Sequence, residues 1–458
     1  MDDIKPAICS LEEFNIADKG AALFESAAGT KLHRDPNSNK CKFLPLGKWR
    51  NKLQQEDIPT PYMKITDTLD MVGVQLCSTW GETRAKNGDA VSNMVSQRIG
   101  AWMGGKYMPL TQRPYSVNTY ALSKVWFRSA SINFREKDFK NINSSIKQWL
   151  YRDLPLKPEE SVLFRPVNEG GLGLASVKHK SLAMLIHNFL DLAANPAYNN
   201  SLFLKQIYKR YVLGEEDIDC PALPQYFKEC GDFFDTMKSA MNDGRNIITM
   251  STKDWYQYIL KYKVFNNEIN GSTIKVLCRI ERNRPEWNFP EVWSFVRMAS
   301  LPSQTTTFLW RLAHELIPSE GRLGACNYGG NTSPFCRKAC TGEIKADYEH
   351  VFFRCIHSKE IGDWLLNKIR TYSSANATPE SILNFEHLEN KALSWITAKT
   401  LQYIWDGRMG SERKASLEGL LSLMRRNLED LENTKFHNIF EVGNPMISTV
   451  PVPFNNSS

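Results

Sequence analysis

The stretch CRKACTGEIKADYEHVFFRC carries Cys336, Cys340, His350 and Cys355 in the spacing C-x3-C-x9-H-x4-C. Thiolate and imidazole are the ligands zinc prefers, and a closed tetrahedral site takes four of them. A close pair of cysteines can supply two ligands from one turn. A histidine and a cysteine five apart can supply two more from the start of a helix. Arg337 and Lys338 stand beside the pair and would offset part of the charge of three thiolates. Four protein ligands leave no open coordination position, so a Zn2+ ion here would be structural, and its affinity would contribute directly to folding. The first gap, of three residues, is wider than the commoner two. A second reading is therefore a set of reduced, buried thiols beside a helix-capping histidine. Cys326 and His357 are further candidates nearby.

The rest of the chain must position that cluster. Its 458 residues suggest two to four domains, at roughly 100–200 residues each. With 12 Trp, 23 Phe and 42% hydrophobic residues, most of the sequence is expected to fold. The net charge of +7 suits an anionic partner without requiring one. Asp2 and Asp3 follow Met1 directly, which is no secretory signal, and no apolar run is long enough to span a membrane. We therefore expect an intracellular protein, nuclear or cytoplasmic, with its cysteines reduced or metal-bound. No spacing supports a Ser–His–Asp or Cys–His nucleophilic site.

Apolar periodicity predicts mainly helices. Leu11, Phe14, Ala17, Ala21, Phe24 and Ala28 recur at helical spacing, with Gly29 placed to end the run. Further stripes are Val91, Met94, Val95, Ile99 and Trp102, then Phe139, Ile142, Ile146 and Trp149, then Leu182, Leu185, Ile186 and Phe189. The helical tryptophans, Trp126 among them, read as core. Leu69–Leu76 reads as a strand. Gly170, Gly171 and Gly173 read as a tight turn rather than a phosphate cradle, because no Lys-Ser/Thr follows in the spacing a phosphate loop needs. Residues 201–284 carry no clear pattern. Thr371–Glu380 reads as a linker, Leu417 to Leu431 as an amphipathic helix, and Gly443–Ser458 as a frayed tail. Between Thr30 and Leu53 lie Lys31, Arg34, Lys40, Lys42, Lys48, Arg50 and Lys52, with Phe43 and Trp49 interleaved. Such a segment can track a phosphate backbone, or it can be a solvated loop with two aromatic anchors.

Several segments, in order, resemble the C-terminal part of LINE-type (non-LTR) retrotransposon reverse transcriptases. MDDIKPAICSLEEF resembles the family's Y-M-D-D motif without its tyrosine. AAGTKLHRDPNSNKCKFLPLGKW is similar to the motif that follows, and LDMVGVQL to the primer grip. NTYALSKVWF and VLFRPVNEGGLGLASVKHKSLA resemble the thumb, and the cysteine–histidine cluster resembles the C-terminal zinc-binding region. The matches cover about 1–200 and 300–440.

The resemblance implies roles. Asp2 would bind catalytic Mg2+ in the intact parent enzyme, with Asp3 as its neighbour, and Lys40 would assist the leaving pyrophosphate. Val72 and Gly73 would grip the primer end. Lys31, Arg34, Lys42, Lys48 and Arg50 would meet nucleic acid. The implied partners are an RNA template and a DNA primer or target DNA, with no membrane.

The implied fold is mixed α+β and mainly helical. It comprises a palm remnant (1–84), a helical thumb (85–200), a connecting region (201–300), a zinc-stapled module (301–370), C-terminal helices (371–440) and a disordered tail (441–458). Two-metal polymerases need a second, separated aspartate, and that residue and the fingers would lie upstream of Asp2. The chain alone is therefore expected not to polymerise. The rival readings are a non-catalytic nucleic-acid-binding protein and an inert relic of a retroelement.

Overall fold

The computed structural model describes residues 10–28, 41–103, 108–197, 201–215, 223–265, 289–326, 333–386, 390–409 and 415–429, apart from 59, 61, 72, 153, 299, 339, 341 and 342. The described residues are mainly helical, with four short strands in two two-stranded sheets. The chain divides into two compact units. The first comprises Met1–Lys106, Tyr115–Leu150 and Ala175–Ile274; the second comprises Tyr107–Pro114, Tyr151–Leu174 and Lys275–Ser458.

In the first unit, β1 (Lys42–Phe43) pairs in parallel with β2 (Lys64–Ile65). β3 (Thr68–Met71) and β4 (Val74–Cys77) form an antiparallel hairpin. The segment expected to be one strand thus folds back on itself. Gly73 turns at φ +79°, a conformation that favours glycine. The hairpin is fastened near its turn. Asn87 bonds the N–H and the carbonyl of Gln75, at 3.1 and 2.7 Å, and Arg128 Nε donates to the Gly73 carbonyl at 2.9 Å.

The Trp80–Met103 helix packs on the Glu136–Leu150 helix, and the predicted stripes meet there. Val91, Val95 and Ile99 are buried, as are Phe139, Ile142, Ile146 and Trp149. Asp138 is also buried at this seam. It accepts from the backbone N–H and the guanidinium of Arg135, at 2.8–3.0 Å, which satisfies its charge. A Cβ at Gly88 would stand 2.1 Å from the Asp138 carboxylate, so only glycine admits this contact.

The described residues of 201–265, unpatterned in the sequence, form short helices. Ser201–Tyr208, Phe233–Asn242 and Thr252–Leu260 pack on the Val177–Ala194 helix. Phe189, Ile207, Phe233, Met237, Trp255 and Ile259 share one buried cluster.

The second unit is built on the Lys391–Met409 helix, which packs against Ser303–Ala313 and Lys359–Tyr372. All of its side chains from Ala392 to Leu401 are buried, so it runs through the core of this unit. The Thr371–Glu380 segment is a closed turn and not a flexible linker. Ala377 is buried, its carbonyl accepts from Arg370 Nε at 3.0 Å, and Thr378 caps the Pro379–Leu383 helix. The Gly170–Gly173 turn is tight, as expected, and it is also a packing element. The Gly170 carbonyl accepts from Trp310 Nε1 at 2.8 Å and from His314 Nε2 at 2.9 Å. A carbonyl only accepts, so His314 carries its proton on Nε2. Its ring stacks on Trp293 at 5.3 Å.

This enclosure gives the second unit a pH dependence. Burial holds the His314 imidazole well below its ordinary 6.5, at about 4. Between those values the unfolded chain binds a proton that the folded chain does not, so stability is complete above pH 6.5 and falls towards pH 4. The loss corresponds to about 3 kcal/mol. Denaturant unfolding from pH 4 to 7 should show a slope that is shallower in His314→Gln; equal slopes would contradict the assignment. In the first unit, Gly88→Ala should lower stability by about 1–3 kcal/mol through overpacking against Asp138, read as a fall in melting temperature.

Candidate metal centre

The four residues singled out by spacing converge in the second unit. One ligand atom from each of Cys336, Cys340, His350 and Cys355 lies within 4.8 Å of all the others. Cys336 Sγ and Cys355 Sγ are 3.9 Å apart, Cys340 Sγ and Cys355 Sγ 3.6 Å, and Cys340 Sγ and His350 Nε2 3.5 Å. A tetrahedron with metal–sulfur bonds of about 2.3 Å and a metal–nitrogen bond of about 2.0 Å has edges of about 3.8 and 3.5 Å. The side chains therefore frame a space of the right size for one such ion.

Two local structures present the ligands. A bridge between Phe335 and Lys345 pinches the chain into an antiparallel loop. Cys336 N–H donates to the Ile344 carbonyl at 2.9 Å, and Ala346 N–H to that of Pro334 at 2.9 Å, so Cys336 and Cys340 come from one loop. His350 and Cys355 bracket a π-helical turn, His350–Arg354, closed by Cys355 N–H to the His350 carbonyl at 2.7 Å. In an α-helix, residues five apart point about 140° away from each other. The wider i→i+5 turn brings them round to one side, which is why this segment leaves the α conformation. Asp347 caps it, accepting from His350 N–H at 2.8 Å. Val351, Phe352 and Phe353 anchor the turn in the core. Gly362 lets the neighbouring helix approach it, since a Cβ there would stand 2.7 Å from the Phe352 carbonyl.

Arg408, at the end of the Lys391–Met409 helix, also reaches the cluster. Its guanidinium donates to Cys355 Sγ at 3.5 Å, to Cys336 Sγ at 3.4 Å and to Glu320 Oε2 at 2.8 Å. Burial opposes ionisation of Cys336, but hydrogen bonds from Arg408 and the Lys338 backbone outweigh it and hold this thiol below its ordinary range. Burial pushes the Cys355 thiol up to about 11, with the Cys340 hydrogen bond and the Cys336 charge adding to it. Burial and the positive charge of Arg408 hold His350 below the usual imidazole value, which favours the neutral, ligating form. Neither Arg408 nor Glu320 carried any signal in the sequence.

The other expected site residues do not gather here. Asp2, Asp3, Lys31, Arg34, Lys40, Val72 and the side chain of Lys48 lie outside the described residues. Lys42 is exposed on β1, Arg50 pairs with Glu82 at 3.5 Å, and Gly73 turns the β3–β4 hairpin. No described helix is long and apolar enough to cross a membrane. No protein-family model matches this chain, and no curated protein matches it.

The geometry predicts roughly one zinc per chain surviving gel filtration, lost in Cys355→Ser together with cooperative melting of this unit. Metal content near zero, with the variant melting like the parent, would leave the cysteines as simple thiols.

Proposed function

We propose that this chain is the C-terminal part of a LINE-type RNA-directed DNA polymerase, in which it grips the template–primer and carries a zinc-stapled module for RNA or target DNA. The order of the motif resemblances supports the family reading. The Cys3His frame supports a structural ion. Three thiolates and an imidazole at tetrahedral spacing suit zinc better than magnesium or calcium, which prefer oxygen ligands. Catalytic magnesium would belong to the parent polymerase site, through Asp2 and Asp3.

Nucleic-acid binding rests on the exposed side chains of one segment of the first unit. From Tyr115 to Phe127 the chain leaves large aromatics in solvent: Tyr115 is 69% exposed, Tyr120 59% and Phe127 54%. Lys124 is exposed among them. The Phe127 ring lies beside the β3–β4 turn, 3.7 Å from where a Gly73 Cβ would be. Arg98 donates to the Tyr120 carbonyl and to Ser123 Oγ, which keeps this segment in place. Exposed aromatics give bases a stacking surface and cations meet the phosphates, the combination that holds single-stranded nucleic acid. The surface lies in the segments that resemble the primer grip and the thumb.

The test is binding of the purified chain to an RNA–DNA hybrid with a single-stranded overhang, across a range of salt. The affinity should fall steeply, with a log–log slope of about −0.9 per phosphate contact on duplex. Phe127→Ala combined with Lys124→Ala should weaken binding about tenfold or more, at an unchanged melting temperature. Salt-insensitive binding, or a variant that binds like the parent, would overturn this reading.

A further inference from the structure

We infer that Arg408 is a positioning residue for the metal centre, a guanidinium that clamps two of the three sulfurs and offsets part of the charge of a tri-thiolate site. This rests on the metal reading proposed above and goes beyond it, because it ties the sulfur ligands to a helix distant in sequence.

The placement of Arg408 is electrostatically odd. The Arg408 side chain is only 6% exposed, and it points at a cluster whose expected occupant is itself a cation. A guanidinium in such a place is repelled by a divalent ion unless the ligands carry more negative charge than the ion carries positive. A divalent ion with three thiolates and a neutral imidazole has a net charge of about −1, so a guanidinium donating to the sulfurs is attracted rather than repelled, with Glu320 sharing its charge at 2.8 Å. With one sulfur still protonated the site would be neutral, and the guanidinium would keep its Glu320 pair but only weak hydrogen bonds to the sulfurs. The orientation of Arg408 therefore favours all three cysteines as thiolate ligands.

The shape of the group matters as well as its charge. Arg408 reaches Cys355 through Nη1 and Cys336 through Nη2, at 3.5 and 3.4 Å. One of these sulfurs follows the π turn and the other comes from the antiparallel loop, so a single planar fork spans the two structures that supply the ligands. Glu320 holds the fork from the other side at 2.8 Å and is itself largely enclosed. Lysine cannot reproduce this two-pronged donation. Outer groups of this kind typically change metal affinity by about 10–100-fold.

Cobalt(II) serves as the probe because its thiolate charge-transfer band reports on the sulfurs directly. R408M should bind cobalt about 10–100-fold more weakly than the parent, and its band should move to lower energy as the sulfurs lose their hydrogen bonds. R408K should recover part of the affinity but keep most of the band shift. A cobalt affinity and a band equal to the parent's in R408M would overturn the role of Arg408 and leave the metal centre standing. A parent chain that takes up no cobalt would overturn both. Should R408M not fold, E320Q gives the comparison, since it frees the fork without removing it. A smaller shift of both readouts supports the proposal, and unchanged readouts overturn it.

Discussion

Three sulfurs and an imidazole nitrogen crowd within 4.8 Å of one another in the second unit. As ionised groups without a counter-charge they would repel, and as neutral thiols they would gain little from meeting. A divalent ion turns that crowding into attraction, and much of the surrounding structure answers to it. The antiparallel loop around Cys336, the π turn from His350 to Arg354 and the end of the Lys391–Met409 helix all meet at this point. The loop and the π turn are local conformations with little stability of their own. The loop rests on an isolated bridge, and a π turn is rare without a reason. Binding energy at an ion held there would supply that reason, as in small modules whose fold depends on their metal.

The first unit is held differently. Its helices meet along apolar stripes, and polar groups enter only where they are satisfied. Asp138 lies at the seam of two helices because Arg135 meets its charge and Gly88 leaves it room. The β3–β4 hairpin is too small to persist alone, and Asn87 and Arg128 fasten it. Those bonds also hold the hairpin turn next to Phe127, where the exposed aromatics begin. A rigid hairpin beside an aromatic and basic surface is what a nucleic-acid grip requires, and this is the physical basis of the functional proposal.

The sequence made the ligand set legible because few residue types bind zinc and their spacing is short. It made the long helices legible because Val91 to Ile99 and Phe139 to Trp149 repeat over several turns. It did not reveal Arg408, which is 72 residues from Cys336, since a lone arginine at a helix end has no local signature. It did not reveal the π turn, because five residues are too few for a change of period to be read. The short helices of 201–260 were missed for a similar reason: each spans only two or three turns, and their apolar residues meet across helices. Leu69–Leu76 looked like one strand because its apolar residues continue through Gly73, whose positive φ makes the turn. Thr371–Glu380 looked like a linker because small polar residues serve capped turns as well as flexible ones.

X-ray absorption at the zinc edge of the purified chain tests the central claim most directly. The account predicts three sulfurs at about 2.3 Å and one nitrogen at about 2.0 Å. A shell of oxygen and nitrogen alone, or of four sulfurs, would contradict it.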